Sequence, residues 1–182
     1  GFYEVQITIA SQKKVHFEIV KTWKEEIRDY KLHIAIAPTK SNYRLEWFLE
    51  KATEIGIDEI TPIICQHSER KFIKEERLNK IILSATKQSL KSKIPVLNSA
   101  ISLKEFLSKI HSADCFIAHC EQGIKQNLQS VVSNNSIILI GPEGDFSTTE
   151  IEVALTSNFS PIGLGNSRLR TETAGIVACH TI

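Results

Sequence analysis

Two glycine-bearing loops hold the residue types most able to do chemistry in this chain. The first is Gly141-Pro142-Glu143-Gly144-Asp145-Phe146. Its glycines let a ligand lie close to the backbone. Glu143 and Asp145 offer acceptors for hydroxyl or amino protons and would repel a phosphate. The loop is neither a GxGxxG fingerprint nor a P-loop, since no lysine follows Gly144. It suits a neutral or cationic ligand; a tight structural turn is the plainer alternative. The second loop runs Leu164-Gly165-Asn166-Ser167-Arg168-Leu169-Arg170-Thr171-Glu172-Thr173-Ala174-Gly175. It sets two guanidinium groups two residues apart, ahead of a helix that Thr171 or Thr173 would cap. Such cations can hold an RNA phosphate or stabilise negative charge developing on a substrate. Arg168 and Glu172 could equally form a helix-end ion pair, worth little if exposed.

A third feature is a concentration of positive charge. From Glu69 to Lys93 the chain carries Arg70, Lys71, Lys74, Arg77, Lys80, Lys87, Lys91 and Lys93 against Glu69, Glu75 and Glu76, net +5 in a protein of net +1. At 100° per residue, Arg77, Lys80, Lys87 and Lys91 fall within an arc of about 80°. Leu78, Ile81, Ile82, Ala85 and Ser89 occupy the adjoining arc, which would face the core. A solvated helix face accounts for the charge, and so does phosphate contact, which needs local rather than global positive charge. Phe72 is the only aromatic in this window, so base stacking along the helix is not suggested.

These residues need elements to position them. Residues 2–10 and 15–20 alternate apolar and polar with period two across Ser11-Gln12-Lys13-Lys14, a hairpin signature. A mixed stretch from Lys21 to Lys31 leads into apolar runs at 32–37, 59–65, 114–119, 136–140 and 161–164. Helical patterns lie between them at 43–55, 74–90, 102–110 and 148–157. Alternation of this kind predicts an α/β fold with a mostly parallel sheet covered on both faces. Leu45, Phe48, Leu49, Ala52 and Ile55 form one stripe, with Gly56 at the C-cap position. Ser147 and Glu150 have capping-box spacing. The first glycine loop then falls at a strand's carboxyl end, where open α/β sheets bind ligands.

Composition narrows the classes. With 182 residues, 42% hydrophobic and 24% charged, the chain is expected to form one domain or one plus a fragment, and not a fibrous or disordered polymer. No apolar run approaches the roughly 18 residues needed to span a bilayer, and no leader-like segment opens it, so a soluble protein is expected. Cys65, Cys115, Cys120 and Cys179 form no CxxC pair and read as reduced cytosolic thiols. Cys115, His119 and Cys120 could be imagined as metal ligands, but adjacent strand positions 119 and 120 would point to opposite faces, so no metal is expected. The chain has no Met and stops inside an apolar run at Ile182, which reads as a piece of a longer protein.

GPEGDFSTTEI, LGNSRLRTETA, LEWFLEKATEIGIDEITPIICQHSER and ATKQSLKSKIP, in that set of positions, resemble the RsmE-type 16S ribosomal RNA uracil-N3 methyltransferases of the SPOUT superfamily. The resemblance runs from about Leu32 to the end, and the preceding hairpin resembles part of that family's N-terminal PUA-like β-barrel. It implies residues 1–28 as a partial RNA-binding barrel and 29–182 as a SPOUT domain with a C-terminal trefoil knot. It also implies S-adenosylmethionine as methyl donor, 16S RNA or the small ribosomal subunit as partner, a homodimer and a cytoplasmic setting. The donor residues it implies are His119, Ile140, Gly141, Pro142, Glu143, Gly144, Leu164, Gly165, Leu169 and Thr171. Arg170, Arg168, Glu172 and Arg70 are the catalytic candidates, with Glu172 accepting the N3 proton or orienting an arginine. Arg77, Lys80, Lys87 and Lys91 are the candidates for RNA contact. Asp145 stands where the family usually has glycine, and Lys87 where it usually has an acid. Rival readings are a SPOUT enzyme acting on a ribose 2′-hydroxyl, an RNA-binding protein without catalysis, and a metabolic α/β enzyme; the motifs and the basic helix disfavour each.

Overall fold

The computed structural model describes residues 1–24, 28–110, 114–131 and 133–182. Residues 25–27, within the connection expected between Lys21 and Lys31, lie outside it. Strands β1 (Phe2–Ala10) and β2 (Val15–Trp23) form an antiparallel hairpin that, among the described residues, pairs with no other strand. Then follow β3 (Lys31–Ile36), α1 (Asn42–Ile55), β4 (Glu59–Ile64), α2 (Glu75–Gln88), β5 (Val96–Leu97), β6 (Ile101–Ser102) and α3 (Leu103–Lys109). The second half holds β7 (Asp114–Ala118), β8 (Gln126–Asn127), α4 (Leu128–Val131), β9 (Asn135–Ile140), α5 (Thr148–Thr156), β10 (Phe159–Gly163) and α6 (Thr171–Thr181).

The sheet runs β5-β4-β3-β9-β7-β10-β8, with β6 pairing β4, and its pairings are parallel. Parallel strands buried on both faces must be apolar at consecutive positions, and they are. In β3, Ile34 and Ile36 point to one face while Ala35 points to the other. In β9, Ile138 and Ile140 share the first face while Ile137 and Leu139 share the second. The first face is covered by α1, α2 and α6 around the fully buried Phe48 and Leu49. The second is covered by α3 and α5 through Phe106, Leu107, Ile151 and Ala154. An aromatic as buried as Phe48 is worth about 3–5 kcal/mol against alanine.

The helix ends follow local chemistry. Gly56 closes α1 at φ +133°, a conformation that favours glycine. Ser147 and Glu150 form the expected capping box of α5. Three expectations are corrected. Neither Thr171 nor Thr173 caps α6: the cap position is Arg170, without a side-chain bond, because the Thr171 hydroxyl is drawn to Gly141. α2 stops at Gln88, with Leu90 at φ +53°, so Lys91 lies beyond the helix and not on its basic arc. Finally, β7 ends at Ala118, which puts His119 and Cys120 in a loop and not on opposite faces of a strand.

Candidate functional site

The carboxyl ends of β9, β7 and β10 open onto three loops, 141–147, 119–125 and 164–170, at adjacent positions in the sheet. Between them lies a cleft of about 450 Å³ walled by Ala118, His119, Cys120, Lys125 and residues 162–169. It continues into a second hollow of about 300 Å³ bounded by Ile140, Gly141, Pro142, Glu143, Asp145 and residues 168–171. Ala118, Cys120, Arg168, Leu169 and Ala174 belong to both. The walls are largely apolar, with polar groups concentrated where the loops meet.

Side chains of one loop hold the backbone of another. Asp145 has φ +65°, unusual for a residue other than glycine. Its Oδ1 accepts from the Phe146 amide at 2.9 Å and its Oδ2 from the Cys120 amide at 2.7 Å, so one carboxylate fixes its own turn and ties it to the β7 loop. Thr171 Oγ1 donates to the Gly141 carbonyl at 3.0 Å and pins the start of α6 to the end of β9. His67 Nδ1 lies 3.2 and 3.0 Å from the carbonyls of Gly144 and Asp145. Glu143 Oε1 accepts from the Lys40 amide at 2.9 Å. Lys125 Nζ donates to the His119 carbonyl at 2.6 Å and to the Glu121 carbonyl, closing the third loop. The loop carboxylates are therefore already partly engaged, which the sequence reading of Glu143 and Asp145 as open acceptors did not include.

Among the expected donor residues, His119, Ile140, Gly141, Pro142, Glu143, Leu164, Gly165, Leu169 and Thr171 line the two hollows. Gly144 does not; a Cβ there would sit 3.1 Å from His67 Cβ, so its smallness serves loop packing. Arg168 and Arg170 reach the cleft. Both are exposed, and neither makes an ion pair among the described residues. Glu172 and Arg70 are not in the lining. Glu172 is buried, with Oε1 3.6 Å from Arg44 Nε of α1 and Oε2 without a hydrogen-bond partner. The Arg168–Glu172 pair considered from the sequence is replaced by this contact, because the first turn of α6 faces α1. Arg70 donates from Nε to Thr39 O at 3.1 Å and from Nη2 to Lys40 O, bracing the loop after β3. On α2, Arg77 is bidentate to Glu46 at 2.6 and 2.9 Å and Lys80 pairs with Glu76 at 2.6 Å, while Lys87 is exposed without such a partner among the described residues.

Two observations bear on what the cleft can hold. His119 Nδ1 is buried yet unpaired, and burial, helped by the nearby Lys125 charge, lowers the imidazole pKa, so the ring is neutral and offers one donor and one acceptor. An orphaned polar atom in a ligand-sized hollow fits a ligand with its own hydrogen-bonding edge. Glu143, exposed at the rim, supplies negative charge for a cationic centre. Apolar walls, a hydrogen-bonding edge and an acidic rim fit an adenosyl sulfonium. Residues that pattern alone did not expose are Arg44, His67 and Lys125. Their roles depend on partners 77 or more positions away for His67, and on backbone carbonyls for Lys125, which leave no motif. Among the described residues no group of three His, Cys, Asp or Glu is placed to hold a metal ion, and no helix is long and apolar enough to cross a membrane.

Residues 26–182 match the family described as an RNA methyltransferase domain. The Ribosomal RNA small subunit methyltransferase E of Mesomycoplasma hyopneumoniae is 34% identical over 182 residues, covering 96% of this chain and 78% of that protein. A crystal structure described as a probable rRNA-methyltransferase from Porphyromonas gingivalis is 42% identical, with a TM-score of 0.88, covering 97% of this chain and 77% of that one. A Legionella pneumophila structure in complex with the bound cofactor SAM is 28% identical, with a TM-score of 0.85, covering 97% and 76%.

Proposed function

The chain belongs to the RNA methyltransferase family, and from that premise we propose that it transfers the methyl group of S-adenosylmethionine to N3 of one uridine in the 16S RNA of the small ribosomal subunit. The observation that carries this reading is the cleft at the carboxyl ends of β7, β9 and β10, apolar within, acidic at its rim and flanked by two arginines that make no ion pair among the described residues. S-adenosylmethionine supplies an electrophilic methyl group on a cationic sulfur. Ile140, Leu164 and Leu169 would enclose its apolar parts, His119 and the backbone of 141–143 and 164–165 would meet its polar edges, and Glu143 would favour its charge.

Uracil N3 would become nucleophilic as its proton passes to water and charge spreads onto O2 and O4; its lone pair would then bond the methyl carbon as the methyl–sulfur bond breaks and the neutral thioether leaves. Arg168 and Arg170 are the cations that would stabilise this charge and hold the base at attack distance. Glu172, buried against Arg44, fits the orienting role better than proton acceptance, and Arg70 fits support of the loop after β3. We assign Arg77, Lys80, Lys87 and Lys91 to phosphate contact. Exposed pairs such as Lys80–Glu76 contribute little and can reopen toward RNA.

We take residues 1–28 as part of a PUA-like barrel, supported by Val5, Ile7, Ile9, Phe17 and Ile19, apolar side chains of the hairpin that stand open. Residues 29–182 are the SPOUT domain. A trefoil knot is supported by the path of the chain, which leaves β10 and returns to bond Gly141 before α6 packs on α1 and β3. A homodimer through the half-buried Ile176 and Val177, working in the cytoplasm where the small subunit is assembled, completes the proposal.

Incubation of the protein with labelled S-adenosylmethionine and 16S RNA or small subunits, followed by nucleoside mass spectrometry, tests it. N3-methyluridine is the expected product, lost on Arg170→Ala and reduced on Glu172→Gln. A 2′-O-methyl nucleoside, or no transfer, overturns the assignment, and near-normal turnover in both variants overturns the residue roles.

A further inference from the structure

The carboxyl edge of the sheet carries more than the cleft. Beyond β3 and β4, on the side away from β7 and β10, two aromatic rings stand in solvent. Tyr43, in the first turn of α1, is 74% exposed, and Phe72, in the loop between β4 and α2, is 76% exposed. Their loops are fastened to each other. Arg70, two residues before Phe72, donates to the carbonyls of Thr39 and Lys40, and Lys40 Nζ pairs with Glu69 at 2.8 Å. The Lys40 amide in turn bonds Glu143 of the loop that walls the cleft, so the rings and the cleft belong to one connected edge. Lys71 and Lys74 flank Phe72, exposed and without ion-pair partners among the described residues.

Rings held in water by braced loops, beside unpaired cations, have the composition that binds unpaired nucleotides: the rings take base faces and the cations take phosphates. A duplex hides its base faces in the stack and would leave both rings without a partner. We propose that Tyr43 and Phe72 are stacking positions for unpaired bases next to the nucleotide delivered to the cleft. The inference rests on the RNA methyltransferase reading and deepens it by naming the form of the substrate, a single-stranded or looped segment.

Single-stranded RNA carrying 2-aminopurine, and the same sequence as a duplex, test this by anisotropy and fluorescence, with donor affinity followed by calorimetry. The wild-type protein should prefer the single strand and quench the 2-aminopurine. Tyr43→Ala and Phe72→Ala should each weaken single-strand binding roughly 5- to 100-fold, as expected for loss of a stacked base. Quenching should fall with them, donor affinity should stay unchanged, and Tyr43→Phe and Phe72→Trp should retain binding. Unchanged affinity and quenching in the alanine variants would overturn the inference, as would loss of a dimer on sizing with RNA affinity intact, which would make the rings a contact between copies. Wild-type protein that binds and quenches yet transfers no methyl group to 16S RNA would defeat the enzyme reading alone. Transfer by the wild type with alanine variants indistinguishable from it would defeat the stacking inference alone.

Discussion

Asp145 shows how one side chain can serve conformation and function together. Its positive φ costs on the order of 1 kcal/mol for a residue with a Cβ. Two hydrogen bonds accepted by its one carboxylate, from the Phe146 and Cys120 amides, offset that cost and set the distance between two cleft walls. Glycine would remove the strain but also the tie. Asp145→Gly is therefore expected to unfold near the wild-type denaturant midpoint while binding S-adenosylmethionine more weakly. Asp145→Ala should keep the strain, lose the tie and be destabilised by about 1–3 kcal/mol, the range for amides left unpaired. Denaturant titration and calorimetry distinguish the two; a stable, tight-binding alanine variant would show that the tie is idle. The residue scale is also where sequence reading is weakest. The Arg44–Glu172 contact joins positions 128 apart, and no local spacing announces it.

Elements were far more legible. The 3.6-residue stripe of α1 and the capping box of α5 are local patterns, and both lie where periodicity puts them. So do β3, β4, β7 and β9, whose continuous apolar runs reflect burial on two faces. The two-residue strands β5, β6 and β8 are too short to show any period and exist only because a neighbouring strand offers them partners. The basic arc read from periodicity includes Lys91, which the left-handed turn at Leu90 places beyond α2. Packing between elements is as exacting as their pattern. Gly175 of α6 faces α1 so closely that a Cβ would lie 2.6 Å from Phe48 Cε2 and 3.1 Å from Ile36 Cδ1. Gly175→Ala is accordingly expected to lower stability by about 1–3 kcal/mol through overpacking, despite alanine's better helix propensity. Addition of Phe48→Leu should restore part of the loss. Thermal unfolding reads both, and a more stable single variant would refute the close approach.

At the scale of the whole molecule, stability should depend on pH through His33 of β3. Its Nε2 lies 2.8 Å from Thr61 Oγ1, which also accepts from Asn98 Nδ2 at 2.7 Å, and its ring packs edge-on against Phe106. Burial pushes its pKa below 6.5, with Glu59 opposing only in part. The unfolded chain therefore takes up a proton that the folded one resists. The resulting stability is fully present above about pH 6.5 and declines as pH falls toward the lower folded value. Denaturant midpoints measured from pH 7.5 to 5 should show this decline, and His33→Gln should flatten it; parallel profiles would exclude His33 as the source.

The bond from Thr171 to Gly141 has a consequence in time. A chain made from its N-terminus has all of β3, α1, β4, β7 and β9 before residues 164–181 exist, and those strands can pair as they emerge. Half of the cleft wall and the helix that covers Phe48 come from that last stretch. Ligand binding is thus acquired in a late, separable step, so that a nascent chain is an organised sheet before it is a receptor, and a ligand present during synthesis can act only on its final stage.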